Sequence, residues 1–143
     1  MPRTLFPTPE DAEQAFYEAA EAGDLDALMA VWAEDDEVVC VHPNGERLVG
    51  QGPIRESWRK ILGSGRKLQV RLEQPVRWQG LMLATHSAIE TVLIDGESEA
   101  LHLAATNVFV RSATGWRLLV HHASPVHGPS AQTNSGGTPP ILH

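Results

Sequence analysis

The side chains best suited to chemistry in this sequence are imidazoles set in strand-like surroundings, together with one carboxylate and one amide. His42 closes the run Val38-Val39-Cys40-Val41 just before Pro43-Asn44-Gly45, and His121-His122 interrupts the apolar stretch from Trp116 to Pro125. A hydrophobic interior has no use for such groups unless they are paired or functional, and histidine exchanges protons near neutral pH. Within Leu81–Ile94, His86 and Glu90 are separated by an even number of residues, so strand alternation puts them on one face. A carboxylate beside an imidazole raises its basicity and orients its tautomer, making Glu90 with His86 or His122 a candidate acid/base pair. The alternative is a closed hydrogen-bonded network of structural purpose.

These groups need elements to hold them. Thr8-Pro9-Glu10-Asp11 supplies a capping hydroxyl, a proline at the first helical position and acids in the first turn, and Gly23-Asp24 reads as a stop followed by a new cap. Ala12, Ala15, Phe16, Ala19 and Ala20 form the apolar face of this first helix, while Leu25, Leu28, Met29 and Trp32 form that of a short second one. Pro53 opens a third helix whose Ile54, Trp58, Ile61 and Leu62 make one buried stripe, ended by Gly63-Ser64-Gly65. Val38–His42 is a strand leading into a turn. The remainder reads as four strands, Lys67–Trp78, Leu81–Ile94, Ala100–Arg111 and Trp116–Pro125, joined by Gln79-Gly80, Asp95-Gly96 and Thr114-Gly115. Hairpin connections imply an antiparallel sheet, and helices preceding a meander imply an α+β domain. Residues 1–127 are expected to form that single domain, and the Pro-, Ser-, Gly- and Thr-rich segment 128–143 a flexible tail.

Three segments carry a family resemblance: Ala22-Gly23-Asp24-Leu25-Asp26-Ala27-Leu28, the stretch from Gly50 to Trp58, and Asn107-Val108-Phe109-Val110 leading to Gly115-Trp116-Arg117. With the element order over residues 9–125, they resemble the SnoaL-like branch of the nuclear transport factor 2 (NTF2-like) superfamily. The resemblance implies a cone-shaped fold, with three N-terminal helices packed on a curved antiparallel sheet. It also implies a pocket between helices and concave face, and a homodimer through the convex face. The superfamily includes isomerases, cyclases, dehydratases, assembly hubs and transport adaptors, so the fold selects none of them. Its steroid isomerase branch relies on an aspartate base and an oxyanion hole of a tyrosine and a neutral aspartic acid. Aligned on Ala22–Asp26 and Gly115, this chain has Phe16 at the tyrosine, His42 at the base and Asn107 at the acid.

The same alignment turns Leu103, Ala105, Asn107 and Phe109 inward, and with them Trp116, Leu118, Val120, His122 and Ser124 of the last strand; His121 and His102 go to the convex face as dimer contacts. His86, Ala88, Glu90 and Val92 form the inward set of their strand. The resulting pocket holds His42, His86, Glu90, Asn107, His122 and Ser124 against Phe16, Met29, Trp32, Cys40 and Trp58, an anatomy suited to a small apolar ligand with one polar end. As an enzyme, it would transfer a proton next to a carbonyl, or dehydrate, with His42 as base. Asn107 and His122 would stabilise developing charge, and Glu90 would orient an imidazole. The rival is a noncatalytic dimeric or assembly module.

Composition narrows the partners. The net charge of −7 and scattered basic residues leave no positive stripe for nucleic acid. No apolar run approaches the ~20 residues of a membrane span, and the opening Met-Pro-Arg-Thr-Leu-Phe-Pro has no signal-peptide pattern, so a cytoplasmic protein is expected. Cys40 is the sole cysteine and lies among valines, which reads as a buried inert thiol. Adjacent strand histidines point to opposite faces, and neither HxH nor HxxxH occurs, so no metal is expected. No glycine-rich phosphate loop is present and no cofactor is expected.

Overall fold

The computed structural model describes residues 5–126 of the chain. The first helix, α1 (Pro9–Ala22), begins where Thr8 Oγ1 accepts from the Asp11 amide, with Pro9 in the first turn, and ends at Gly23 in the left-handed conformation. Asp24 then caps α2 (Leu25–Val31) through the Ala27 amide. These expected starts and stops are found within a residue.

Strand β1 (Val39–Val41) turns back through residues 42–46, tied by the His42 amide to Glu46 O and the Gly45 amide to His42 O, into a second strand β2 (Arg47–Val49). The turn was expected; the return strand was not. Helix α3 (Gln51–Leu62) starts two residues before Pro53. The long strands are β3 (Leu68–Gln79), β4 (Leu83–Ile94), β5 (Leu101–Ser112) and β6 (Gly115–Pro125). The sheet order is β2-β1-β6-β5-β4-β3. The meander is antiparallel as expected, but β1 lies parallel to β6, so the sheet is mixed.

Two irregularities bend the sheet. In β3 the register shifts between Glu73 and Val76, where Gln74 takes φ 54° before Pro75. In β6, Val120 opposes Val108 while Leu118 opposes Phe109, which leaves Leu119 as an extra residue. Such a bulge adds twist and reverses the alternation beyond it.

Most of the core lies between the helices and the β1–β6–β5 end of the sheet: Phe16, Leu28, Trp32, Val38, Cys40, Ile54, Phe109 and Leu118 are essentially inaccessible. A smaller apolar cluster, Val92, Leu103, Ala105 and Ala123, occupies the inner face of β4, β5 and β6. Burying such side chains contributes roughly 1.5–3 kcal/mol each. The N-terminal segment is held against β6, with the Trp116 amide on Phe6 O and the Arg117 guanidinium 4.7 Å from the Phe6 ring centre. Among the described residues no helix is long and apolar enough to cross a membrane. The expected tail, 128–143, lies outside the described residues.

Candidate functional site

A cavity of about 140 Å³ separates the two apolar clusters. Phe16, Tyr17 and Ala20 of α1, Trp58 and Ile61 of α3, and Val92, Leu103 and Ala123 of the sheet make most of its wall, with Glu90, His121 and His42 as polar members. His42, Pro43 and Ile61 also line a shallower outer groove, so they stand between the cavity and the surface.

A chain of buried side chains backs this cavity. Tyr17 donates its hydroxyl to Glu90 Oε2 at 2.6 Å, and Asn107 Nδ2 donates to the Tyr17 oxygen at 2.9 Å. The amide is thereby oriented with Oδ1 toward His121 Nδ1, 2.6 Å away, and must accept from it. His121 is therefore the Nδ1–H tautomer, and its Nε2 is a lone-pair acceptor. Donation runs in one direction, from His121 through Asn107 and Tyr17 to Glu90.

Burial sets the charge states. It holds His121 down to about 3, helped by repulsion from His42 and His122, so the ring is neutral. Burial raises the Glu90 carboxyl above its ordinary range, and the Tyr17 hydrogen bond pulls it part of the way back. The Tyr17 phenol is pushed well up, first by burial and then by Glu90, and keeps its proton. His42 is lowered by burial, with Glu46 opposing; its Nε2 meets the Ser57 hydroxyl, and its ring lies edge-on to Trp58 at 5.4 Å.

A second polar cluster lies behind α1. His86 Nδ1 is 3.0 Å from Glu13 Oε2, and Arg77 donates to Glu13 Oε1 at 2.8 Å. Burial opposes ionisation of Glu13, but the His86 and Arg77 hydrogen bonds outweigh it and lower its pKa. This carboxylate has its counter-charge, the Arg77 guanidinium, built in.

Of the expected site residues, His42, Glu90, Phe16 and Trp58 line the cavity. Asn107 points inward as expected but stands behind the wall, with its amide shared by Tyr17 and His121. His86 is buried and bonds Glu13. Met29, Trp32 and Cys40 are core rather than wall, and burial raises the Cys40 thiol to about 12. The last strand corrects the reading most. Trp116 and Leu118 are buried as expected, but past the Leu119 bulge it is His121 and Ala123 that turn in, while His122 is exposed and Val120 and Ser124 fall on the outward set. His122 and Ser124 thus leave the site, and the oxyanion pair of Asn107 with His122 is not assembled.

Tyr17 and Ser57 were not among the expected residues. Glu13, Tyr17 and Ala20 follow helical spacing, and an apolar stripe wide enough for Phe16 also takes Tyr17. Hence Tyr17, next to the aligned Phe16, brings a phenol to Asn107. Among the described residues no three His, Cys, Asp or Glu side chains converge as a metal site.

With the geometry in view, the comparisons place the chain. Residues 10–128 match the model of the SnoaL-like domain, and the protein belongs to that family. A structure from Thiobacillus denitrificans, named “putative calcium/calmodulin-dependent protein kinase type II association domain”, is 40% identical, with 86% of this chain and 98% of that one covered and a TM-score of 0.75. One from Streptomyces avermitilis, named “putative dehydratase from the NTF2-like family”, is 34% identical over 82% of this chain and 92% of that one, with a TM-score of 0.76. A Pseudomonas putida NTF2-like protein of unknown function, 18% identical over 86% and 87% of the two chains with a TM-score of 0.74, shares the fold. No curated protein matches the chain.

Proposed function

We propose that this SnoaL-like domain binds a small, largely apolar molecule in the interior cavity, holding its one polar, hydrogen-bond-donating end against His121 and Glu90. The observation that carries the reading is the one-way chain His121–Asn107–Tyr17–Glu90, which consumes its own donors and ends at each side in an acceptor-bearing residue that lines an apolar cavity. Proton transfer by His42 or His121 is the chemistry the site supports, in line with the dehydratase name of the Streptomyces avermitilis relative. Burial lowers both imidazoles, His121 to about 3, away from the neutral range that suits a general base, which favours capture over turnover. Benzyl alcohol, a neutral one-ring donor, tests the reading by titration calorimetry. Binding is expected to the native chain and to be lost in Ala123→Leu, which fills the cavity; equal heats from both proteins, or none from either, refute it.

A second observation supports a homodimer through the convex face. Val76 and Trp78, 68% and 61% exposed, stand in one row each with outward residues of the sheet: Val76 opposes Ser87, which opposes Thr106, and Trp78 opposes Thr85, which opposes Val108. An exposed tryptophan on a face of small and β-branched side chains suits a self-complementary contact. The association-domain name of the Thiobacillus relative agrees with that reading, and sedimentation equilibrium measures it.

A further inference from the structure

The cavity's charge balance is incomplete, and the missing part names a ligand class. Glu90 is 5% exposed, yet among the described residues it forms no ion pair, and its one hydrogen-bond partner is the Tyr17 hydroxyl. The 2.6 Å contact has the Tyr17 hydroxyl as donor and the Glu90 carboxyl oxygen as acceptor. Glu13, buried to the same degree on the facing helix, is by contrast clamped between Arg77 and His86. A buried carboxylate without a cation costs several kcal/mol. One of these two sites is finished by the protein itself, and the other is left open toward an empty volume.

Everything else in the cavity fits a cation. Among the described residues no lysine or arginine lines it, and Glu90 is its only acidic member. His121 offers Nε2 as a neutral acceptor, because Asn107 takes the proton on Nδ1. Phe16, Tyr17 and Trp58 contribute aromatic rings, with Phe16 edge-on to both neighbours at 5.1 and 5.7 Å, and ring faces attract positive charge. On the approach, Glu46 and Glu56 line the outer groove beside Lys60, and the chain's net charge of −7 draws cations.

We propose that the cavity is a receptor for a small protonated amine, an ammonium group on a single ring or a short apolar chain, with Glu90 as its counter-ion and His121 Nε2 as a second acceptor. The proposal rests on the binding reading above and names the polar end of the ligand. A hydroxyl has one proton to give and leaves the carboxylate charge unmatched, whereas an ammonium has three protons and a full positive charge. Size sets the other limit. At about 140 Å³ the cavity is on the scale of the ~150 Å³ engineered cavity known to take benzene.

Calorimetry at neutral pH with benzylammonium, benzyl alcohol and benzoate, which share a ring and differ at the polar end, tests the proposal. Benzylammonium is expected to bind about tenfold or more tighter than benzyl alcohol, and benzoate to give no heat. Glu90→Gln, which keeps an oxygen for Tyr17, is expected to erase the ammonium preference by bringing benzylammonium affinity down to that of benzyl alcohol or below, with circular dichroism verifying the fold. Benzyl alcohol binding as tightly as benzylammonium overturns the ammonium assignment while the cavity reading stands. So does a preference that survives Glu90→Gln, or one that survives Ala123→Leu and so belongs to the surface. Silence from all three probes sinks both.

Discussion

Replacing Tyr17 by phenylalanine removes one oxygen from the buried chain and should be felt at both of its neighbours. Glu90 loses its one hydrogen-bond donor among the described residues, and Asn107 Nδ2 loses the acceptor 2.9 Å away. The ring itself stays, so packing against Phe16 is retained. A hydrogen bond to a charged group contributes about 1.5–3 kcal/mol, and a neutral one about 0.5–1.5. The expected loss at neutral pH is therefore about 2–3 kcal/mol, or roughly 6–12 °C in Tm for a chain of this size. The sign of the pH dependence follows from Glu90. Its pKa is raised in the folded state, so the folded protein holds this proton more tightly than the unfolded chain. The associated stability is fully present below the ordinary value of 4.5 and is lost as pH rises through the folded value. Phenylalanine removes the only influence pulling that pKa back, so the variant should lose more stability than the native chain across this rise. The penalty should shrink toward about 1 kcal/mol at pH near 4, where a neutral carboxyl needs the phenol less. Urea unfolding followed by tryptophan fluorescence at several pH values measures it. A penalty below about 0.5 kcal/mol, or one that does not change with pH, would refute the assignment of Tyr17 as the donor that sustains Glu90.

The two adjacent histidines offer a direct test of the β6 bulge. His121→Ala should cost about 2–4 kcal/mol by emptying a buried site and orphaning Asn107 Oδ1, whereas His122→Ala on the exposed side should stay within about 0.5 kcal/mol; the opposite ranking would mean that the bulge is misplaced. In imidazole nitrogen NMR, His121 should remain neutral and Nδ1-protonated down to about pH 4, since burial lowers it to about 3. Its folded pKa lies below the ordinary 6.5, so the unfolded chain binds that proton first, and acidification below 6.5 works against the fold. On the convex face, Trp78→Glu should weaken self-association roughly 30-fold or more in sedimentation equilibrium, as loss of a central aromatic contact does, and unchanged association would rule that face out.

What could be read from residues alone follows how local the responsible physics is. The helix starts at Thr8-Pro9 and Asp24, the stop at Gly23 and the hairpins at Asp95-Gly96 and Thr114-Gly115 depend on a few neighbouring residues, and each is present in the structure. Alternation carried Asn107, His86 and Glu90 to the inner face correctly because β4 and most of β5 run without interruption. It failed on β6, where Leu119 is inserted opposite a partner strand, and nothing in Trp116–Pro125 itself announces an extra residue. The parallel placement of β1 beside β6 escaped for a similar reason, since it joins segments about eighty residues apart by a pairing that no turn signals. Tyr17 was passed over in favour of Phe16 because a helix face about 100° wide admits both, and only the position of Asn107 decides which one meets the sheet.

The break in β3 at Gln74-Pro75 governs how copies of this chain can meet. Among the described residues β3 and β2 are the outermost strands of an open sheet. An uninterrupted outer strand would be a template for stacking one molecule onto the next without end. Here one border is only three residues long, and the other is notched by a left-handed residue and an imino acid that lacks an amide hydrogen. Lateral fibre-like growth is thus discouraged at both borders.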